Sequence, residues 1–238
     1  GIARYVVSQK PAGAKVIVGR DPRFLGETFC SLAAEILAGY GVTPLVIAEA
    51  APTPTIAYAV IQSKANGAIN FTASHNPAEY HGLKFSSSDA GPALPEVTRD
   101  IEARVAKLVA SGGVPPAKHN GKSALHAAEI VSLAEPFLHR MDELVRFDVI
   151  RKSGMKFVVD PRHGSGIGYL DRALAAHGIP VQAIHTTRDV LFDGKGPDVS
   201  AEILEPLSQA VREAGATAGL ATDGDADRFG VVDRDGAW

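Results

Sequence analysis

Short apolar runs alternate with segments of helical periodicity in the first part of the chain, and this alternation constrains the fold most. Strand-type runs cover residues 15–18, 42–47 and 67–71, and helical segments cover 27–40 and 55–64 between them. Connections this short between consecutive strands imply right-handed crossovers and a mostly parallel sheet. Ligands of such sheets collect at the carboxyl ends of the strands, so the loops that follow these strands are candidate sites.

The second part of the chain repeats this alternation without repeating the sequence. Its predicted elements are strands at 156–159, 181–184, 218–221 and 229–232, with helices at 169–176 and 206–214. We therefore predict an α/β fold of two successive three-layer α/β domains with mostly parallel, mixed sheets. The expected boundaries are 1–123 for the first domain, 124–148 for a connecting helix and 149–238 for the second domain.

Four local expectations accompany this division. The stretch 112–123 has the composition of a linker, and 127–147 has the pattern of one long amphipathic helix. Thr53, followed by Pro54, is a plausible N-cap for the helix at 55–64. Only two residues follow the turn at 233–236, which suggests a fragment whose second sheet is incomplete at its C-terminal edge.

Composition excludes several classes of partner. The 238 residues carry a net charge of −3, which argues against a nucleic acid or an anionic membrane as the partner. No apolar run reaches the ~18 residues of a membrane span. Cys30 is the single cysteine, which excludes an internal disulfide and favours a reducing, cytoplasmic location. Its apolar helical neighbours favour a buried structural thiol over a reactive one.

The loop after the third strand runs from Phe71 to Pro77 and presents the hydroxyl of Ser74. Its backbone amides have no sheet partner and can converge on an anion. A serine here can carry phosphate, with donors from Arg20, His75 and Lys84 nearby. The alternative is that Ser74 only stabilises the turn at Asn76 and Pro77, that His75 is structural, and that Lys84 snorkels from a short strand.

Three carboxylates at alternate positions, Asp223, Asp225 and Asp227, follow a predicted strand and precede Arg228. Their mutual repulsion is relieved by a hard cation. A calcium loop would need glycine at its sixth position and glutamate at its twelfth, where this chain has Arg228 and Arg234. Mg²⁺, which prefers few carboxylates plus a phosphate oxygen or water, fits better. A polar hairpin without an ion remains the alternative.

The glycine-rich segment 164–168 does not match a dinucleotide-binding fingerprint. Tyr169 occupies the position of the third glycine, and no acidic residue ends the next strand before His185. A nicotinamide site is therefore rejected. A serine that can carry phosphate, together with three carboxylates that can hold a cation, points to phosphoryl transfer.

The 72–77 loop, the stretch 80–85 and the 223–228 loop together closely resemble the α-D-phosphohexomutase family, which includes phosphoglucomutases, phosphomannomutases and phosphoglucosamine mutases. The segments 19–23, 52–54 and 160–166 are similar to family segments in the same order. The resemblance covers essentially the whole chain. Two departures stand out: His81 replaces a common asparagine, and the family's N-terminal Gly-Thr-x-Gly-x-Arg segment does not appear.

The resemblance implies a role for each matching residue. Ser74 would be the phosphoserine, and one of its phosphate oxygens would bind Mg²⁺ together with Asp223, Asp225 and Asp227. Lys84 would assist proton transfer at the sugar hydroxyl, and Arg228 would lie beside the phosphoryl group. The residues expected to support the serine loop are Arg20, Arg23, His75 and Asn76.

The implied activity is the interconversion of hexose 1-phosphate and hexose 6-phosphate through a sugar bisphosphate that also serves as activator. The family normally has four domains, and its third and fourth carry the sugar-recognition and phosphate-binding loops. The expected partners are thus a hexose phosphate and C-terminal domains of the same protein, with no nucleic acid or membrane. Two alternatives stay open: a non-catalytic module that binds a phosphosugar or a protein, and a serine- and Mg²⁺-dependent sugar phosphatase.

Overall fold

The computed structural model describes residues 1–113 and 128–238, and its first sheet has five strands in the order β4-β3-β1-β2-β5. Strands β1, β2, β3 and β5 are parallel, and β4 pairs with β3 in the antiparallel sense. The strands are β1 Lys15–Arg20, β2 Thr43–Ile47, β3 Ala68–Phe71, β4 Leu83–Ser86 and β5 Glu129–Val131. The central strand β1 is buried at five of its six residues, as expected for a strand covered on both faces.

Helices cover both faces of this sheet. They are α1 Ile2–Gln9, α2 Gly26–Gly39, α3 Thr53–Ser63 and α4 Pro95–Ala110. Alternate residues of β1 point to opposite faces, so Val16 and Val18 pack with Leu37 of α2, whereas Ile17 packs with Ile56 of α3. Cys30 lies in the α2 layer and is buried.

The second sheet has four strands in the order β7-β6-β8-β9, all parallel except the edge strand β9. Its strands are β6 Phe157–Asp160, β7 Val181–Ala183, β8 Ala218–Thr222 and β9 Phe229–Asp233, and its helices are α5 Ala134–Leu144, α6 Phe147–Lys152, α7 Leu170–Ala176 and α8 Glu205–Ala214. A short 3₁₀ helix covers Phe192–Gly194. Val158 packs towards α8, and Phe157 packs towards α6 and α7. The prediction of two α/β domains with mostly parallel, mixed sheets is confirmed.

The region around the connecting helix differs from the prediction. Residues 129–131 form β5, which pairs with the edge of β2 and so provides backbone partners for a strand that would otherwise be open. The single helix predicted at 127–147 is therefore wrong: α5 ends at Leu144, Val145 is extended, and α6 begins at Phe147. The predicted linker 112–123 lies mostly outside the described residues, and the domain boundaries stay a prediction.

The helices of residues 1–113 and 128–238 are all too short or too polar to cross a lipid bilayer.

Candidate functional site

The Ser74 loop begins where β3 ends and is held in a tight turn. The amide of Ser74 donates to the Thr72 hydroxyl at 2.8 Å, and that hydroxyl donates to Asp21 at 2.7 Å. Ser74 itself has φ of 54°, in the left-handed region that a serine rarely adopts. Such backbone strain persists only where the surroundings impose it and is concentrated at functional positions.

The surroundings that impose this conformation are centred on Arg23, which is completely buried. Its guanidinium donates to the carbonyl oxygens of four loop residues, at 2.6–3.0 Å. These residues are Ser74, Asn76, Pro77 and Tyr80. Asp21 accepts the remaining Nε–H of Arg23 at 3.0 Å, so the charge is paired. One planar side chain thus fixes the path of the whole loop.

The other three residues predicted to support the loop lie in different surroundings. Arg20 donates to the carbonyl of Ala48 and pairs with Glu27, so it braces the end of β1 against β2 and α2. The role of Arg20 in supporting the serine loop stays a prediction. His75 and Asn76 are exposed, and Asn76 contributes its backbone carbonyl, which Arg23 binds.

The acidic loop, residues 223–228, connects β8 to β9 and brings the carboxylates of its three aspartates together. These three aspartates are called the cation cage below. Asp223 and Asp225 are fully buried, Asp227 lies at the rim, and one carboxylate oxygen from each residue lies within 4.8 Å of the others. Burial, reinforced by the negative charge of Asp225, raises the pKa of Asp223. The Oδ1 atom of Asp225 is buried and has no hydrogen-bond partner among the described residues. An added cation would relieve both costs.

Two cationic side chains lie against these carboxylates. Lys84 Nζ lies 2.7 Å from Asp225 Oδ2 and 3.1 Å from Asp227 Oδ2. Arg228 binds Asp223 Oδ2 through Nε and Nη2, at 3.1 and 2.9 Å. Partial burial opposes the charged form of Lys84, but the hydrogen bonds and charges of both aspartates outweigh it and raise the pKa of Lys84. The amine is therefore an ammonium group at neutral pH.

The glycine-rich segment after β6, residues 164–168, packs against the backbone of the acidic loop. Ser165 donates both its amide and its hydroxyl to the carbonyl of Gly224, at 2.9 and 2.8 Å. A Cβ on Gly164 would lie 2.8 Å from the same oxygen, so this close approach requires glycine. Sequence reasoning assigned no role to Ser165 or Gly224. The Gly-Ser-Gly pattern after a strand was the available signal, but its partner could not be read from it.

The serine loop of the first domain and the acidic loop of the second domain are in contact. Arg228 Nη2, bound to Asp223, lies 3.5 Å from Ser74 Oγ. The loops are also in backbone contact, since a Cβ on Gly224 would lie 2.9 Å from the Ser74 carbonyl oxygen. Arg188 adds a third link by donating to the backbone carbonyls of Pro22 and Arg23, at 2.9 and 3.2 Å.

Thr53 also links the two domains, and the sequence predicted a different role for it. Its hydroxyl donates to Asp225 Oδ2 and accepts from Asn70, and its amide donates to the Asp225 carbonyl. The N-cap position of α3 belongs to Pro52, without a side-chain cap. The predicted N-cap role of Thr53 is therefore wrong, because its hydroxyl binds a buried carboxylate instead of a helix amide.

The three aspartates fit a hard divalent cation, and one of them, Asp225, has a buried oxygen without a hydrogen-bond partner among the described residues. Beside Lys84 and Asp227 opens a cleft of about 550 Å³, within the size range of small-ligand pockets. The site therefore combines a hydroxyl in a strained loop, a cation cage and two fixed positive charges, and the cleft borders its Lys84 and Asp227 side. Such an arrangement can stabilise a transferring phosphoryl group.

Comparison with known proteins agrees with this chemistry. Residues 1–111 match phosphoglucomutase/phosphomannomutase α/β/α domain I, and residues 135–236 match domain II of the same family. A phosphoglucosamine mutase of Corynebacterium aurimucosum is 36% identical over 92% of this chain and 47% of its own length. A phosphoglucomutase/phosphomannomutase of Thermococcus kodakarensis is 32% identical over 94% of this chain and 47% of its own length.

A solved structure gives the same result for the fold. A protein of Thermus thermophilus assigned as a phosphomannomutase superposes with a TM-score of 0.86 at 30% identity, covering 99% of this chain and 52% of its own. The chain thus spans about half the length of the relatives it matches. With both domain matches in sequence order and the two loops in contact, the chain belongs to the phosphoglucomutase/phosphomannomutase family.

Proposed function

We propose that this chain carries the phosphoryl-transfer half of a phosphohexomutase, an enzyme that interconverts hexose 1-phosphate and hexose 6-phosphate. The supporting observation is the position of Arg228, whose Nη2 lies 2.9 Å from Asp223 and 3.5 Å from Ser74 Oγ. A phosphoryl group on Ser74 would therefore lie beside both a guanidinium and the cation cage. These are the groups that neutralise the charge of a transferring phosphoryl group.

Each residue of the site has a proposed role in this reaction. Ser74 carries the phosphoryl group and passes it to the free hydroxyl of a hexose monophosphate. Lys84 lies beside Asp225 and Asp227, where its ammonium can stabilise the negative charge that develops on the oxygen of that hydroxyl. Asp223, Asp225 and Asp227 would hold Mg²⁺, which supplies positive charge at the phosphate oxygens.

Arg23 and Thr53 are positioning residues, which hold other parts of the site in place. Arg23 holds the carbonyls of the serine loop, and Thr53 holds Asp225 against the first domain. A misplacement of the donor oxygen by about 1 Å can slow in-line transfer about 100-fold, so the serine must be held in place. The strained backbone at Ser74 is consistent with this fixed placement.

The experiment is the fate of phosphate on Ser74. The protein is incubated with Mg²⁺ and a hexose 1,6-bisphosphate, and its intact mass is measured. We expect one phosphate per chain, absent from S74A and present in a control variant of an exposed loop serine, S88A. Addition of glucose 1-phosphate or glucose 6-phosphate should then discharge the phosphate to the sugar.

Three outcomes separate the alternatives. Transfer to sugar without inorganic phosphate supports the mutase. Release of inorganic phosphate instead supports a sugar phosphatase, and failure of Ser74 to accept phosphate with Mg²⁺ present supports a non-catalytic binding module. The 238 residues alone should bind Mg²⁺ but show little net mutase turnover, since the relatives are about twice as long. Turnover at the rate of a full-length relative would contradict this division of the site.

A further inference from the structure

A second cluster of potential metal ligands lies in the second domain, outside the cation cage formed by Asp223, Asp225 and Asp227. One ligand atom each from His163, His185 and Asp193 lies within 4.8 Å of the others. The two imidazole rings are neighbours, with centroids 4.8 Å apart, and His185 Nε2 lies 3.9 Å from Asp193 Oδ2. We propose that these three residues form a transition-metal site, for an ion of the Zn²⁺ type.

The hydrogen bonds of both histidines leave the same nitrogen free. His163 Nδ1 lies 2.7 Å from the Thr187 carbonyl, and His185 Nδ1 lies 2.9 Å from the Asp160 carboxylate. The Thr187 carbonyl and the Asp160 carboxylate are acceptors, so each Nδ1 carries the proton and each Nε2 keeps its lone pair. Arg162 Nη1, a donor, also lies 3.3 Å from His185 Nδ1, farther than the Asp160 oxygen. An imidazole fixed through Nδ1–H by a carbonyl or carboxylate is the usual arrangement of a histidine metal ligand.

The burial of His163 is an independent observation in favour of a ligand. His163 is only 8% exposed, and its Nε2 is buried without a hydrogen-bond partner among the described residues. A buried lone pair without a partner costs free energy unless something binds it. A metal ion shared with His185 and Asp193 would provide that partner.

The surrounding charges favour a cation over an anion. Asp160 and Asp193 contact His185, and Asp189 accepts the amide of Asp193. Against these three carboxylates stands the buried guanidinium of Arg162, 3.4 Å from Asp193 Oδ2. The cluster therefore has a negative charge when the imidazoles are neutral. A phosphate ion would meet carboxylate oxygens on two sides, which makes an anion site the weaker interpretation.

The donor set selects the type of ion. Two imidazole nitrogens and one carboxylate, with a fourth position open to water, suit tetrahedral Zn²⁺, whereas Mg²⁺ prefers oxygen ligands. Ligand atoms around such an ion are about 3.3 Å apart at ordinary Zn–N distances. His185 Nε2 and Asp193 Oδ2 are 3.9 Å apart, slightly more than this, and rotation of the partly exposed Asp193 side chain can shorten that distance.

An ion at this position would fix, within the second domain, a segment that also contacts the first domain. Asp193 follows Arg188 in the segment after β7, and Arg188 donates to the carbonyls of Pro22 and Arg23 in the first domain. Fixing Asp193 to His163 and His185 would restrict this segment. Binding to the folded state then raises stability in proportion to the logarithm of ion concentration.

The test measures Zn²⁺ binding to the 238-residue protein, freed of metal and prepared without a polyhistidine tag. Excess Mg²⁺ is present to fill the cation cage. Isothermal titration should show one Zn²⁺ per chain, and Co²⁺ should give the visible absorption of a tetrahedral nitrogen–oxygen site. In H163N and H185N the asparagine amide can still donate where Nδ1–H did, but Nε2 is lost. We expect each to weaken Zn²⁺ binding by about tenfold or more.

The matched control is H177N, which removes a histidine that pairs with the carboxylate of Asp142 outside the cluster. Its Zn²⁺ affinity should equal that of the original protein. Absence of Zn²⁺ binding in the original protein, or equal binding by H163N, H185N and H177N, would overturn the proposal. If the cluster variants do not fold, histidine ¹⁵N spectra of the original protein decide: Zn²⁺ must shift the Nε2 signals of two histidines, and shifts elsewhere count against the site.

Discussion

Thr53 and Asp225 are bound to each other twice, although 172 positions separate them in the chain. The Thr53 hydroxyl donates to Asp225 Oδ2 at 2.8 Å, and the Thr53 amide donates to the Asp225 carbonyl at 2.8 Å. One residue of the first domain thus holds both the side chain and the backbone of a residue in the acidic loop. The proposed cation cage depends on contacts from both domains.

Thr53→Val should destabilise the protein by about 1–3 kcal/mol. The substitution keeps the shape of the side chain but removes a donor to buried Asp225 and an acceptor for Asn70. Urea denaturation measures the change in free energy of unfolding. The exposed Thr98 on α4 provides the control, T98V, which should change stability by less than about 0.5 kcal/mol. Equal effects of the two variants would contradict the role of Thr53.

Arg23→Lys should cost about 2 kcal/mol or more, even though the charge is kept, because an ammonium cannot reach four carbonyls and Asp21 at once. Phosphorylation of Ser74 by a hexose bisphosphate should slow as well. Unfolding in urea and intact mass measure the two effects. The control R140K changes an exposed pair with Glu143 and should be nearly neutral. A neutral R23K would show that the loop does not need the guanidinium.

Gly224→Ala tests the contact between the two loops. The new Cβ would lie 2.9 Å from both the Ser74 carbonyl oxygen and Pro197 Cβ, so the loops must separate. We expect a loss of about 1–3 kcal/mol and slower phosphate transfer to Ser74. In G91A the atom nearest to the new Cβ is Asp89 Oδ1, at 3.4 Å on a side chain that can move, so stability should hardly change. Normal transfer in G224A would mean that the loops need not touch.

Lys84→Met separates cation binding from phosphate transfer. Lys84 places its charge beside Asp225 and Asp227, where it would compete with a Mg²⁺ ion bound to the proposed cage. Its removal should tighten Mg²⁺ binding by up to about tenfold, as measured by titration calorimetry. Transfer of phosphate to Ser74 should nevertheless slow by about 100-fold. The exposed Lys107 gives the control K107M. Unchanged transfer in K84M would remove Lys84 from the proposed mechanism.

Cys30 should resist alkylation in the folded protein. Burial raises the pKa of its thiol to about 12, and the thiol contacts the Gly19 carbonyl. Near pH 9 only about one thiol in a thousand is then ionised, and the thiolate is the reactive form. Reaction with iodoacetamide should be about 100-fold or more slower than that of glutathione, and should become fast in denaturant. A comparable rate in the folded protein would show that Cys30 is accessible.

The local pattern of the sequence was sufficient for much of the fold. Runs such as 15–18 and 42–47 are apolar without alternation because both faces of a central parallel strand are buried, and they became β1 and β2. The clustering of Asp223, Asp225 and Asp227 is likewise local, since five residues of a loop cannot separate their carboxylates far. The burial of Cys30 followed from its apolar neighbours on α2.

Other features were decided by which elements the tertiary structure brings together. Arg20 and Arg23 have the same chemistry and lie three positions apart, yet only the burial of Arg23 beneath the serine loop gives it four carbonyl partners. Residues 129–131 became a strand because β2 offered an open edge. Helical periodicity and propensity act over a few residues, and they contain no information about a distant edge or a distant carboxylate.

The sequence by itself therefore determined two α/β domains, a serine loop after one strand and an acidic loop after another. The tertiary structure alone decided that these loops touch, that Thr53 binds Asp225 rather than a helix amide, and that Ser165 binds Gly224. The physical reason is that a buried polar group must find a partner. Which partner it finds depends on how elements far apart in the chain pack together.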